Sequence, residues 1–378
     1  MRTTLAALLC LAAPALAAPP APIWQVKTDA SGFIDDPFAL RDDGKAVAYI
    51  TTDGAEAAKL HLAMIPAWKP DVVIPGVSAH AVAIHWLSPE RVLVVAKDGD
   101  KETVSAQVYS PKGPGRERLG PADDIALATL DGKPAVVSYT RTEKKGVEHT
   151  LSAVHRESWK ALGKKSWRED AEGRVPHPAG AFKILWWKDG FAAAAVQQAG
   201  AFDKAKDMRR PDRFARLDPW TGKLFDEKEI EDVLGFAQLI IEHKKHSNQA
   251  AFVHLSEDHH KLLFTDGLTQ KELTLARPLY MYALESIAFQ LLDGDRVAVS
   301  ATVDPTNPPA LQRKKADPDE LDLFIVDRKT NVATRVLRLD GQGRPSTWKT
   351  GGNRLALLRK SKGFDRGGVV LEIYDLGS

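Results

Sequence analysis

The sequence predicts an all-β chain assembled from one repeated supersecondary unit, and three observations carry that expectation. Seven hairpin signatures recur, each made of an apolar run, a tight polar turn and a second apolar or alternating run. Residues marking their turns, Gly44, Glu90, Gly132, Gly190, Asn248, Asp295 and Asn353, follow one another at spacings of 46, 42, 58, 58, 47 and 58. The last unit stops at Ser378 one strand short of the others, while an extended run, Ile23 to Lys27, stands unassigned ahead of the first. A four-stranded blade occupies roughly 40–50 residues, so these spacings, with insertions in the longer ones, predict a single β-propeller. It would have about seven four-stranded blades and be closed by the N-terminal strand.

Each unit has its own local justification. Phe38 to Arg41 precedes Asp43-Gly44-Lys45 and the run Ala46 to Ile50; Val82 to Leu87 precedes Ser88-Pro89-Glu90 and Val92 to Ala96. Ile125 to Leu130 turns through Asp131-Gly132-Lys133 into Ala135 to Tyr139, and Phe182 to Trp187 turns through Lys188-Asp189-Gly190 into Phe191 to Val196. The fifth pair is Leu239 to Ile241 and Ala250 to Leu255 about Ser247-Asn248, and the sixth is Ile287 to Leu292 and Val297 to Ala301 about Asp293-Gly294-Asp295. The seventh joins Trp348 to Leu355–Leu358 through Gly351-Gly352-Asn353. Glycine and asparagine accept the positive φ that such turns demand, which makes these pairs strong hairpin signals. Second hairpins follow in several units, as in Leu60 to Ile65 with Asp71 to Ile74, and Leu323 to Val326 with Ala333 to Leu337. Pairing of Ile23 to Lys27 with Val369 to Tyr374 would leave neither edge of the chain exposed.

The stretch Phe38-x4-Asp43-Gly44-Lys45-Ala46-Val47-Ala48-Tyr49 resembles the repeat of TolB-type propellers, in which an aromatic precedes an Asp-Gly-Lys turn and an apolar strand. Leu130-Asp131-Gly132-Lys133 echoes it, and Ser88-Pro89-Glu90 keeps its Ser-Pro part. The other units depart further, the extra N-terminal domain of TolB is absent, and no Trp-Asp dipeptide of the WD-like repeat occurs. What the resemblance implies is therefore architecture, since a fold shared by many activities names none of them.

The N-terminus reads as an export signal. Met1-Arg2, the apolar run Leu5 to Ala13 and the small-x-small pattern Ala15-Leu16-Ala17 predict a signal peptide over residues 1–17 and a propeller over 18–378. The run is too short to span a bilayer, so export to the periplasm or medium without membrane insertion is expected. The single cysteine, Cys10, lies in this leader, which leaves the mature chain without disulfides, thiolate metal sites or a cysteine nucleophile. A formal net charge of +2 gives no global attraction to nucleic acid or anionic lipid.

The candidate chemistry is sparse. Five of the eleven histidines, His243, His246, His254, His259 and His260, fall in one stretch. The strand Gln249 to Leu255 would separate its two groups by roughly 20 Å, so no metal site is expected and no cofactor is implied. Asp98-Gly99-Asp100-Lys101-Glu102 lacks the remaining ligands and sixth-position glycine of a calcium loop and reads as a charged turn. The charges of the seven connections between second and third strands cancel, which argues against a nucleic-acid-binding face; Lys204, Lys206, Arg209, Arg210 and Arg213 are interleaved with Asp203, Asp207 and Asp212.

Trp86, Trp186, Trp187 and Trp348 all fall on predicted first strands, nearest a propeller axis. They are expected to fill inter-blade core; the functional alternative is an aromatic floor at the channel mouth. The candidate ligand-binding set is then Arg41, His85, Trp86, Trp187, His243, Trp348 and Lys349. These observations suggest a non-catalytic scaffold binding an envelope protein or an extracellular polymer, with the insertions Gln198 to Arg213 and Val303 to Glu320 as recognition loops. The alternative is a channel-sited enzyme, either a lactonase-like metal-dependent hydrolase or a glycan hydrolase or lyase.

Overall fold

The structure, a computed structural model, describes residues 21–28, 38–52, 57–66, 71–99, 101–143, 145–171, 175–177, 180–188, 191–196, 202–203, 208–209, 213–218, 220–221, 223–229, 253–255, 261–266, 269–274, 288–293, 296–301, 320–327, 329–340, 347–360 and 369–377. The signal-peptide residues 1–17, His243 and nearly all of Val303 to Glu320 lie outside them.

Every element among these residues is a strand. After β1 (Trp24–Thr28) come β2 (Phe38–Leu40), β3 (Ala46–Thr52), β4 (Ala57–Met64) and β5 (Val72–Ser78), which form the first sheet. The second sheet holds β6 (Ala81–Ser88), β7 (Arg91–Lys97), β8 (Val104–Ser110) and β9 (Gly113–Ala122); the third holds β10 (Asp124–Leu130), β11 (Lys133–Thr142), β12 (Glu148–His155) and β13 (Ala161–Arg168). The fourth contains β14 (Val175–His177), β15 (Gly180–Lys188) and β16 (Phe191–Val196). After the small ribbon of β17 (Phe202–Asp203) and β18 (Met208–Arg209) it continues with β19 (Arg213–Asp218) and β20 (Lys223–Glu229). The fifth has β21 (Val253–Leu255), β22 (Lys261–Asp266) and β23 (Thr269–Thr274), and the sixth β24 (Ala288–Asp293), β25 (Arg296–Ala301), β26 (Glu320–Asp327) and β27 (Val332–Asp340). β28 (Thr347–Gly351), β29 (Arg354–Lys360) and β30 (Val369–Asp375) make up the last sheet together with β1.

Neighbouring strands in these sheets are antiparallel, and the sheets follow one another in chain order. Two differ from the expected four strands. The fourth has five, because β14 adds itself ahead of the first hairpin, and the insertion at Gln198 to Arg213 contributes the ribbon β17–β18. The fifth shows three, and its expected first strand, Leu239 to Ile241, lies outside the described residues.

Burial explains the layering. β3 buries Ala46 to Ile50 without a break, as a strand with sheets on both faces must, whereas the outer strand β9 mostly alternates between exposed and half-buried residues. The cores sit between sheets. Ala48, Ile50 and Leu60 of the first sheet meet Ile84, Trp86 and Val94 of the second, while Leu87, Leu93 and Val108 of the second meet Ile125 and Val136 of the third. Leu292, Leu323 and Leu337 meet Trp348, Leu355 and Leu357 across the sixth and last sheets. The last and first sheets share a core as well, with Phe38, Val47, Tyr49 and Ile65 against Ala356, Leu371 and Ile373. The fold is a β-propeller, and each fully buried apolar side chain in such a core stabilises it by about 1.5–3 kcal/mol.

A polar device joins the sheets. Arg91, Arg296 and Arg354 are each the first residue of a second strand, and each reaches into the following sheet. Arg91 Nη1 donates to Glu157 O (2.7 Å), Arg296 Nη2 to Gly377 O (2.8 Å) and Asn353 Oδ1 (2.9 Å), and Arg354 Nη1 to Gly44 O and Ile65 O (both 2.9 Å). The contact from Arg354 therefore runs from the last sheet to the first. At that junction the backbones come so close that a Cβ on Gly351 would overlap Arg41 O, which restricts the position to glycine.

Candidate functional site

Successive strands alternate in direction, so turns between first and second strands and those between third and fourth strands gather at one end of the sheets. Arg41 lies in the β2–β3 turn, Pro89 in the β6–β7 turn and Arg156 in the β12–β13 turn. Arg41 holds Asp43 with two bonds, Nε to Oδ1 (2.8 Å) and Nη2 to Oδ2 (2.9 Å), and donates from Nη1 to Pro89 O (3.1 Å). Its guanidinium, followed by the Lys45 backbone N–H, holds the Asp43 carboxyl below the usual range, against the opposing effect of burial. The same guanidinium stands 5.7 Å over the Trp86 ring.

Trp86 donates from Nε1 to Ala39 O (2.9 Å), and Lys349 from Nζ to Phe38 O (2.6 Å) with its ammonium 5.0 Å from the Phe38 ring. Arg156 Nη2 donates to Trp86 O, its guanidinium lies 3.6 Å from Asp42, and its buried Nε meets no acceptor. His85 stands among these groups on β6. Burial, then the charges of Lys349 and Arg156, lower its imidazole from 6.5 to about 4. As a residue it is half-buried.

The structure thus brings Arg41, His85, Trp86 and Lys349 to one region and adds Arg156, which the sequence did not single out. Trp86 and Trp348 are 5% and 6% exposed and pack between sheets, so their rings present no open face for stacking. Trp187 lies on β15 opposite Ala192. The chemical capacity of the cluster follows from its protonation states. A general base works best with a pKa near the ambient pH, whereas His85 is neutral at pH 7 and binds a proton too weakly to serve as a base there.

The expected titration is specific. The His85 ring should protonate with a midpoint near 4 in histidine NMR spectra, and Lys349→Met should raise that midpoint. Because the unfolded chain takes up this proton near 6.5 and the folded chain only near 4, its contribution to stability is complete above 6.5 and declines as pH falls toward 4. A midpoint near 6.5 in the native protein would contradict this environment.

A second polar cluster lies at the opposite end of the third sheet. His149, 2% exposed, joins Tyr139 Oη at Nδ1 (2.7 Å) and Glu169 Oε1 at Nε2 (2.7 Å). Both ring nitrogens therefore have a polar partner, the phenol at Nδ1 and the carboxylate at Nε2. Burial, with Asp123 next in effect, raises the Tyr139 phenol, which keeps its proton and is no nucleophile. The sequence reading passed over this trio, and alternation along β12 would have flagged only one histidine on a covered face.

No family model matches the chain, and no curated protein does. Among solved structures it is similar to the β-propeller domain of the Trilobed protease from Pyrococcus furiosus, with a TM-score of 0.45 and 10% identity over 92% of this chain and 98% of that one. It is similar to the acylaminoacyl peptidase of Pyrococcus horikoshii, with a TM-score of 0.44 and 10% identity over 92% of this chain but only 52% of the peptidase. Similarity to the polysaccharide lyase Uly1 has a TM-score of 0.48 and 10% identity over 95% of this chain and 100% of the lyase. Likenesses of this size carry no chemistry from those proteins to this one.

Proposed function

We propose that the chain is an exported, non-catalytic scaffold: a disc of seven blades, closed by its N-terminal strand, that binds an envelope protein or an extracellular polymer. One observation carries this reading. The cations gathered near the first strands are committed to main-chain carbonyls of neighbouring sheets, Arg41 to Pro89 O, Lys349 to Phe38 O, Arg156 to Trp86 O and Arg354 to Gly44 O and Ile65 O. Groups spent in this way stiffen a frame, and a stiff frame is what presents loops and edges to a partner.

Affinity purification of the tagged full chain from the envelope fraction tests the proposal. The expected result is co-purification of one protein or polymer in near-stoichiometric amount, with Ala18 as the first residue of the exported form. Absence of any partner, together with turnover of a glycan or lactone by the purified chain, would overturn it in favour of a channel-sited enzyme.

A further inference from the structure

We draw no further inference here: the strongest candidate, the side-chain cluster of His85 on β6, Arg156 in the β12–β13 turn and Lys349 on β28, belongs to the site already described, and its two cations are committed to the main-chain carbonyls of Trp86 and Phe38.

Discussion

Removal of residues 18–27 should lower the melting temperature of the entire chain by about 5–10 °C, far more than removal of an equally long loop. Trp24 to Thr28 pair residue by residue with Ile373 to Val369, and Ile23 adds a bond to Ile373 O (2.7 Å). Trp24 and Val26 also pack against the core shared by the first and last sheets, where the Trp24 ring lies 6.1 Å from that of Tyr49. Two partly covered apolar side chains and the pairing of β30 together contribute about 3–5 kcal/mol, and a kilocalorie corresponds to roughly 2 °C in a domain of this size. The loss is not local, because β30 would keep a row of unpaired donors and acceptors beside the junction of first and last sheets. A thermal melt followed by circular dichroism decides the matter; an unchanged midpoint would mean that β1 is an accessory and not a closure.

Trp86→Ala should cost about 3–5 kcal/mol, read from the denaturant midpoint at constant slope. The ring is 5% exposed, fills the space between the first two sheets, donates to Ala39 O and lies under the Arg41 guanidinium. Trp86→Phe retains most of that volume and loses the bond, so about 1–2 kcal/mol is expected from leaving the Ala39 carbonyl without its donor. The ordering of Ala below Phe below wild type identifies a core residue. A variant of full stability that failed to bind a ligand would instead make Trp86 part of a recognition surface.

Much of the strand pattern was legible because hairpins are local. Asp131-Gly132 could be read as a two-residue turn, and both residues adopt the positive φ (49° and 72°) that the pair was expected to supply. Likewise the unbroken run Ala46 to Ile50 marked a strand covered on both faces, and the basic residue after each of Glu90, Asp295 and Asn353 was visible in the sequence. Its purpose was not visible, since Arg91, Arg296 and Arg354 act on carbonyls of the following sheet. The extra strand β14 also escaped notice because Val175 to His177 is too short to show alternation.

The candidate site divides along the same line. Residue types and their places on first strands could be taken from the sequence, and they brought Arg41, His85, Trp86 and Lys349 together as candidates. Burial and charge could not. Whether Trp86 faces solvent or a core depends on the sheet beside it, and the depressed pKa of His85 depends first on its burial and then on the charges of Lys349 and Arg156, which lie 264 and 71 positions away in the chain. Turn chemistry and strand alternation are written within a few residues, so the chain order of the sheets follows from sequence. Which polar groups are spent on holding sheets together is settled by distances across the fold, where separation along the chain carries no information.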